Sequence, residues 1–196
     1  MIRTALTAIA VAGATFGATF GAIELAGRDS ATTTVTPHRR TTDELIRDYM
    51  AAIKQRPDDA RGYTALGQAF VQKVRETGNT DLYHRADSLF RQALRRDPAN
   101  AGAIIGRGGV ANSRHDFAGG LRFAGKARRV APESIGPLPV LVDSQIELGR
   151  YDDAARTLQQ LVDLKPNVAA YTRVSYWREL HGDLDGAIEA VQRAVS

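Results

Sequence analysis

The sequence predicts an all-α chain: an α-solenoid of stacked antiparallel helix-turn-helix hairpins behind an N-terminal hydrophobic helix. Three observations predict it. The 196 residues are 43% hydrophobic and 24% charged but only 7% aromatic, a globular composition of good helix formers with little of the alternation that strands need. Amphipathic runs end at Pro57, Pro98, Pro132 and Pro166, at intervals of 41, 34 and 34 residues, and a fixed period near this length marks repeated αα-hairpins. One phrase is also said twice: LGRYDDAARTLQQLVDLKP at 148–166 and HGDLDGAIEAVQRAVS at 181–196, with Gly149 and Gly182 33 residues apart. A single hairpin cannot bury its apolar face, so neighbours stack and share a core.

The first element, residues 1–26, reads as a signal-anchor or signal segment. Residues 5–23 (ALTAIAVAGATFGATFGAI) carry no charge. As a helix they extend about 28 Å, close to the thickness of a bilayer's hydrocarbon core. No good cleavage site follows in IELAGRDSA, so an uncleaved single-pass anchor with the rest of the chain extracytoplasmic is expected; secretion after cleavage is the alternative. Gly13, Gly17 and Gly21 space small residues as closely packed membrane helices do. Arg3 competes with Arg28, Arg39 and Arg40 for the cytoplasmic side, which leaves topology open. Residues 27–40 (GRDSATTTVTPHRR) are Thr-rich, contain Pro37 and read as a flexible linker.

Residues 41–57 form a leading half-repeat or capping helix. Thr41 with Glu44 makes a capping-box pattern, and Leu45, Ile46, Tyr49 and Ile53 recur at helical spacing before Pro57. Four hairpins follow, at about 58–99, 100–133, 134–167 and 168–196. The first is longer by seven residues, placed between Phe70 and Ala86, which lets each of its helices gain about one turn around a bend at Gly78 and Asn79. Asp152 and Asp183 are expected to serve the turns and cap the second helices of the last two hairpins.

These residues resemble the tetratricopeptide repeat family over about 155 of the 196 positions. The family pattern places a large residue, Leu and a small residue on the first helix, then Ala, a large apolar residue, Ala and Pro on the second. The first hairpin supplies Tyr63, Leu66, Gly67, Phe70, Ala86, Phe90, Ala93 and Pro98. The second keeps Gly108, Phe117, Ala127 and Pro132 but has Arg107 where Leu is usual. The third keeps Gly149, Tyr151, Ala154, Leu158 and Pro166, with Pro137 and Pro139 on its first helix; the fourth keeps Tyr171, Gly182, Ala187 and Ala194. With 22 Arg to four Lys, the layout is similar to that of actinobacterial membrane-anchored tetratricopeptide repeat proteins.

Chemistry is hard to place on this chain. Without cysteine there is no disulfide, thiolate zinc site or cysteine nucleophile. His38, His84, His115 and His181 are scattered without metal-ligand spacing, and GDLDG at 182–186 lacks the other ligands of a calcium loop. GRGGV at 106–110 has no phosphate-loop Lys-Ser/Thr, and its glycines read as close helix packing. No catalysis, cofactor or metal is expected. Ten Arg or Lys lie between Arg85 and Arg129 against three acids, Asp87, Asp97 and Asp116. A nucleic-acid face there is not favoured, because no stacking aromatics are interleaved with the arginines.

The resemblance implies a protein–protein interaction scaffold or adaptor whose first helices line a concave groove for a partner peptide or helix near a membrane. Its groove positions are Thr64, Gln68, Gln72, Ile105, Asn112, Asp143, Glu147, Tyr176 and Glu179. The lysines that clamp a peptide carboxylate in chaperone-associated relatives are missing. The three acids suggest an acidic inner surface suited to a basic or amine-bearing segment. The alternative function is an accessory or regulatory module of a larger enzyme complex or longer chain. Ala187, Ile188, Val191 and Ala194 lie on a last helix with no polar cap, a surface open to a partner or to a homo-oligomer.

Overall fold

A computed structural model of the chain describes residues 40–195. The expected N-terminal hydrophobic helix and nearly all of the linker lie outside the described residues. Those residues form nine helices and no strand: α1 (Thr42–Gln55), α2 (Ala60–Thr77), α3 (Leu82–Arg96), α4 (Ala101–Ser113), α5 (Phe117–Val130), α6 (Pro137–Glu147), α7 (Tyr151–Leu164), α8 (Val168–Leu180) and α9 (Leu184–Val195). Helix α1 packs on α2. Four hairpins follow, and each first helix touches the first helix of the next: α2 on α4, α4 on α6, α6 on α8. The first helices therefore form one layer and the second helices, α3, α5, α7 and α9, the other.

The helix starts follow from side chains that accept the orphan amides of a first turn. Thr41 and Glu44 make the predicted capping box, with Thr41 N–H donating to Glu44 Oε2 at 2.7 Å. Asp59, Asn100, Asp116, Asn167 and Asp183 cap α2, α4, α5, α8 and α9. Asp152 departs from expectation. Arg150 stands at the N-cap of α7, no side chain caps it, and Asp152 already lies in the helix's first turn. Beside it Asp153 binds both Arg150 and Arg156. Pro57, Pro98, Pro132 and Pro166 each follow a C-cap residue, Arg56, Asp97, Ala131 and Lys165, where the chain has already left the helix. Pro137 and Pro139 sit in the first turn of α6, where a missing amide costs no helical bond.

The seven extra residues of the first hairpin are not shared evenly. Helix α2 has 18 residues against 13 in α4, whereas α3 has 15 against 14 in α5. The extension of α2 runs beside the start of α1: Lys73 Nζ pairs with Asp43 at 2.7 Å, and the Thr42 hydroxyl donates to Glu76 Oε1 at 2.5 Å.

Three of the four hairpin turns place a glycine in the left-handed region, Gly78 (φ 69°), Gly149 (φ 71°) and Gly182 (φ 77°), but the second places His115 there at φ 62°. A side chain at this φ costs about 1–2 kcal/mol, offset here by the edge contact of the His115 ring on Phe117 at 5.6 Å. His115→Gly is expected to raise stability by about 0.5–1 kcal/mol, read as a later urea midpoint at unchanged slope.

The core is segmental. Phe90 of α3 is fully buried, and its ring fills a slot between α2 and α4. A Cβ on Gly67 would stand 2.6 Å from the ring and one on Gly106 2.4 Å, so both helices need glycine to approach it. Arg107, in the place of an expected Leu, donates to Asp87 Oδ1 at 2.8 Å and lies 4.5 Å over the Phe123 ring. Arg96 closes the first hairpin, donating to the Pro57 carbonyl at 2.6 Å and to the Tyr63 hydroxyl at 2.8 Å. Tyr63 in turn donates to Pro57 O at 2.9 Å. Leu66, Ala154 and Ala187 are buried, a Cβ on Gly108 would stand 3.0 Å from Val140 Cγ1, and Phe117 is half-buried. Tyr151 instead stays exposed, its ring edge against His181.

Candidate functional site

The layer of first helices encloses an open groove of about 580 Å³. Helix α2 contributes Gln68, Val71 and Arg75; α4 contributes Ile105, Gly109 and Asn112; α6 contributes Pro139 and Asp143; and α8 contributes Val168, Thr172 and Arg173. Its floor is low because small residues recur on α4. A Cβ on Gly109 would meet nothing within 4 Å, so that glycine leaves open space where Gly106 serves packing.

Of the nine groove positions expected from the sequence, Gln68, Ile105, Asn112 and Asp143 line this groove. Thr64 is buried: its hydroxyl lies 3.1 Å from Ala60 O and 3.2 Å from Asn100 Oδ1, the cap of the next first helix. Asn112 is also engaged, its Nδ2 donating to Val140 O at 3.1 Å and its Oδ1 accepting from the Ser144 hydroxyl at 2.9 Å. Gln72, Glu147, Tyr176 and Glu179 are not among the lining residues. Gln72 bridges Arg75 and Glu76 along α2, and Tyr176 donates to Glu147 at 3.2 Å. Partial burial, and then the nearby Glu147 carboxylate, push the Tyr176 phenol above its ordinary value.

The acidic character expected of this surface is much reduced. Arg173, which sequence reading did not single out, meets Asp143 with two parallel bonds, Nε to Oδ1 at 2.7 Å and Nη2 to Oδ2 at 2.8 Å. That fork cancels the groove's one lining carboxylate. Arg75 remains: its Nη1 donates to the neutral Gln72 Oε1 at 3.1 Å, and among the described residues no carboxylate pairs with it. The uncompensated charge in the groove is therefore positive. Aligning Arg173 with Asp143, 30 residues earlier on the preceding first helix, was the available signal for the pair.

Outside the groove, the arginines between 85 and 129 are partly consumed by the fold. Arg91 and Arg107 hold Asp87, and Arg96 holds the first hairpin. Among the described residues no helix is long and apolar enough to cross a membrane, and no group of His, Asp and Glu is arranged to hold a metal ion.

A layered array of αα-hairpins with an open inner groove defines a helical-repeat solenoid. The family model of the tetratricopeptide repeat matches residues 140–196, the last two hairpins, and this match and the fold together support the tetratricopeptide repeat family for the chain. Among solved structures it is similar to MamA, with 18% identity over 79% of this chain and 86% of that one and a TM-score of 0.58. It is also similar to TTC0263, a thermophilic tetratricopeptide repeat protein of Thermus thermophilus, with 17% identity over 79% and 81% and a TM-score of 0.67. A third is YrrB, described as having an unusual peptide-binding site, with 23% identity over 76% and 74% and a TM-score of 0.57. No curated protein matches the chain.

Proposed function

We propose that the chain is a non-catalytic adaptor that holds a segment of a protein partner in the groove of its first helices. The observation that carries this reading is the open groove itself, which runs across all four first helices over a floor left low at Gly109. Backbone of a bound peptide or helix can approach such a floor closely. The unpaired Arg75 and the neutralised Asp143 favour a carboxylate-bearing segment over the basic one that the sequence suggested; this charge sets selectivity and rate more than affinity. Residues 5–23 support a site of action at a membrane, with a single-pass anchor and the array extracytoplasmic, or with the array secreted if the segment is cleaved.

The test uses a substitution that blocks the groove without disturbing the core. Gly109→Phe fills open space and replaces a helix-interior glycine, so folding is expected to be retained. Full-length chain in detergent is used to capture partners from a lysate of the source cells, beside Gly109→Phe and Arg75→Glu. A partner lost with Gly109→Phe and weakened with Arg75→Glu, at unchanged thermal midpoints, is the expected result. A partner set unaffected by Gly109→Phe would overturn groove binding.

A further inference from the structure

Helix α5 concentrates charge of one sign: its 14 residues include Arg122, Lys126, Arg128 and Arg129 and no acid. All four cations are exposed. Arg122, Lys126 and Arg129 follow one another at spacings of four and three, which lines them up along one face of the helix. Arg95 of α3 is also exposed and stands 34 residues before Arg129, at the same place in the preceding hairpin. Among the described residues none of these five side chains has an ion-pair or hydrogen-bond partner.

The nearby acids are turned to other tasks. Asp87 is held by Arg91 at 3.1 Å and by Arg107 at 2.8 Å. Asp97 accepts from the Ala99 amide at 3.0 Å. Asp116 accepts from the Gly119 amide at 2.8 Å, at the opposite end of α5 from Arg128 and Arg129. In α7 the places of Lys126 and Arg129 are taken by Gln160 and Asp163, so the basic face ends there. It covers the outer side of α3 and α5 alone.

We propose that this face docks on an anionic phospholipid surface, with the groove turned away from it. Phosphate head groups of a bilayer lie in a plane, and a row of exposed cations meets them without insertion. Ala118 and Gly125 stand between the cations, and no Phe or Tyr of α3 or α5 is exposed to stack on a base. Helix α5 lies within the layer of second helices, flanked by α3 and α7, and does not project as a helix that enters a DNA groove must. The choice of lipid also rests on the anchor proposed above. Residues 24–40 span at most about 60 Å, which confines the array near the bilayer and lets a weak contact form. The second helices are the layer opposite the groove, so contact through α5 presents the groove to a partner.

Full-length chain reconstituted in vesicles tests this. The absence of native cysteine lets a fluorophore report from one place at a time. Ala118→Cys places it on the basic face and Gln160→Cys on α7, and lipid carrying a head-group quencher reads the contact. In vesicles of equal parts phosphatidylcholine and phosphatidylglycerol, the label at Ala118→Cys should be quenched and that at Gln160→Cys should not. Quenching should vanish in phosphatidylcholine alone, and also in about 1 M salt, where the screening length falls to about 3 Å. Arg122→Glu, Lys126→Glu and Arg129→Glu together should weaken the contact by on the order of 100-fold, at roughly fivefold for each cation lost, with an unchanged urea midpoint. Quenching at Ala118→Cys that is equal, or absent, in the two lipids overturns the proposal. So does quenching that survives the triple substitution or that appears at Gln160→Cys. Duplex DNA at equal phosphate concentration should leave the label quenched; release of the label would overturn the proposal and assign the face to nucleic acid. An alkaline wash of phosphatidylcholine vesicles tests the anchor separately. Chain that washes off shows that residues 5–23 do not hold it, and the α5 contact is then judged by the same quenching on anionic vesicles.

Discussion

Phe90→Ala is expected to destabilise the array by about 3–5 kcal/mol, the range for truncating a fully buried aromatic side chain. The ring touches three helices, standing on α3 between Gly67 of α2 and Gly106 of α4. Removing it leaves a cavity that two glycine-lined helices cannot fill with side chains of their own. A domain stable by roughly 5–15 kcal/mol loses a large share of that margin. The location gives the prediction a second readout. In a solenoid each hairpin contacts only its neighbours, so hydrogen-exchange protection should fall across α1 to α4 and hold in α6 to α9. The glycines supply a third. Gly106→Ala alone forces a Cβ to 2.4 Å from the ring and should destabilise by about 1–3 kcal/mol through overpacking. In the Phe90→Ala background the same change meets empty space and adds helix propensity, so it should stabilise. Urea unfolding of the four proteins checks the change of sign.

The layout of the array was legible because its signals are local. A proline after the C-caps of α1, α3, α5 and α7, a glycine in three of the four hairpin turns and a capping box at α1 all act within a few residues of themselves. They place the hairpins on sequence alone. The inner surface was not legible in the same way, because its polar residues find partners about one repeat away. Thr64 meets Asn100, Asn112 meets Val140 and Ser144, and Asp143 meets Arg173, at separations of 36, 28, 32 and 30 residues. The period says these positions adjoin; it does not say whether a side chain turns to its neighbour or to the groove. Asp143 was read as a free acid for that reason. The unequal growth of α2 has the same origin. Its bonds to Thr42 and Asp43 depend on how far α1 runs beside it, and no pattern within α2 reports that.

Asn112→Ala brings the two questions, fold and function, to one residue. Asn112 lines the groove, yet it ties three helices: Nδ2 donates to Val140 O of α6, Oδ1 faces the buried Ser144 hydroxyl, and a Cβ on Gly120 of α5 would stand 1.8 Å from that Oδ1. Truncation leaves Ser144 to donate to Val140 O at 2.8 Å, within its own helix, and takes from Val140 O its amide donor. The expected loss is about 1–3 kcal/mol, the penalty of an under-satisfied buried group plus a small void. Asn112→Asp should cost at least as much, because a carboxylate has no proton to offer Val140 O. Either variant would weaken partner capture by loosening α4 against α6, so lost capture by itself says nothing about contact. Gly109→Phe supplies the missing comparison, since it changes the groove one turn away without touching these bonds. Capture lost with Gly109→Phe at full stability, and lost with Asn112→Ala only in step with its lowered urea midpoint, would assign Asn112 to the scaffold. Capture lost with Asn112→Ala at an unchanged midpoint would instead show that its amide reads the partner, and that Ser144 alone suffices to hold α4 on α6.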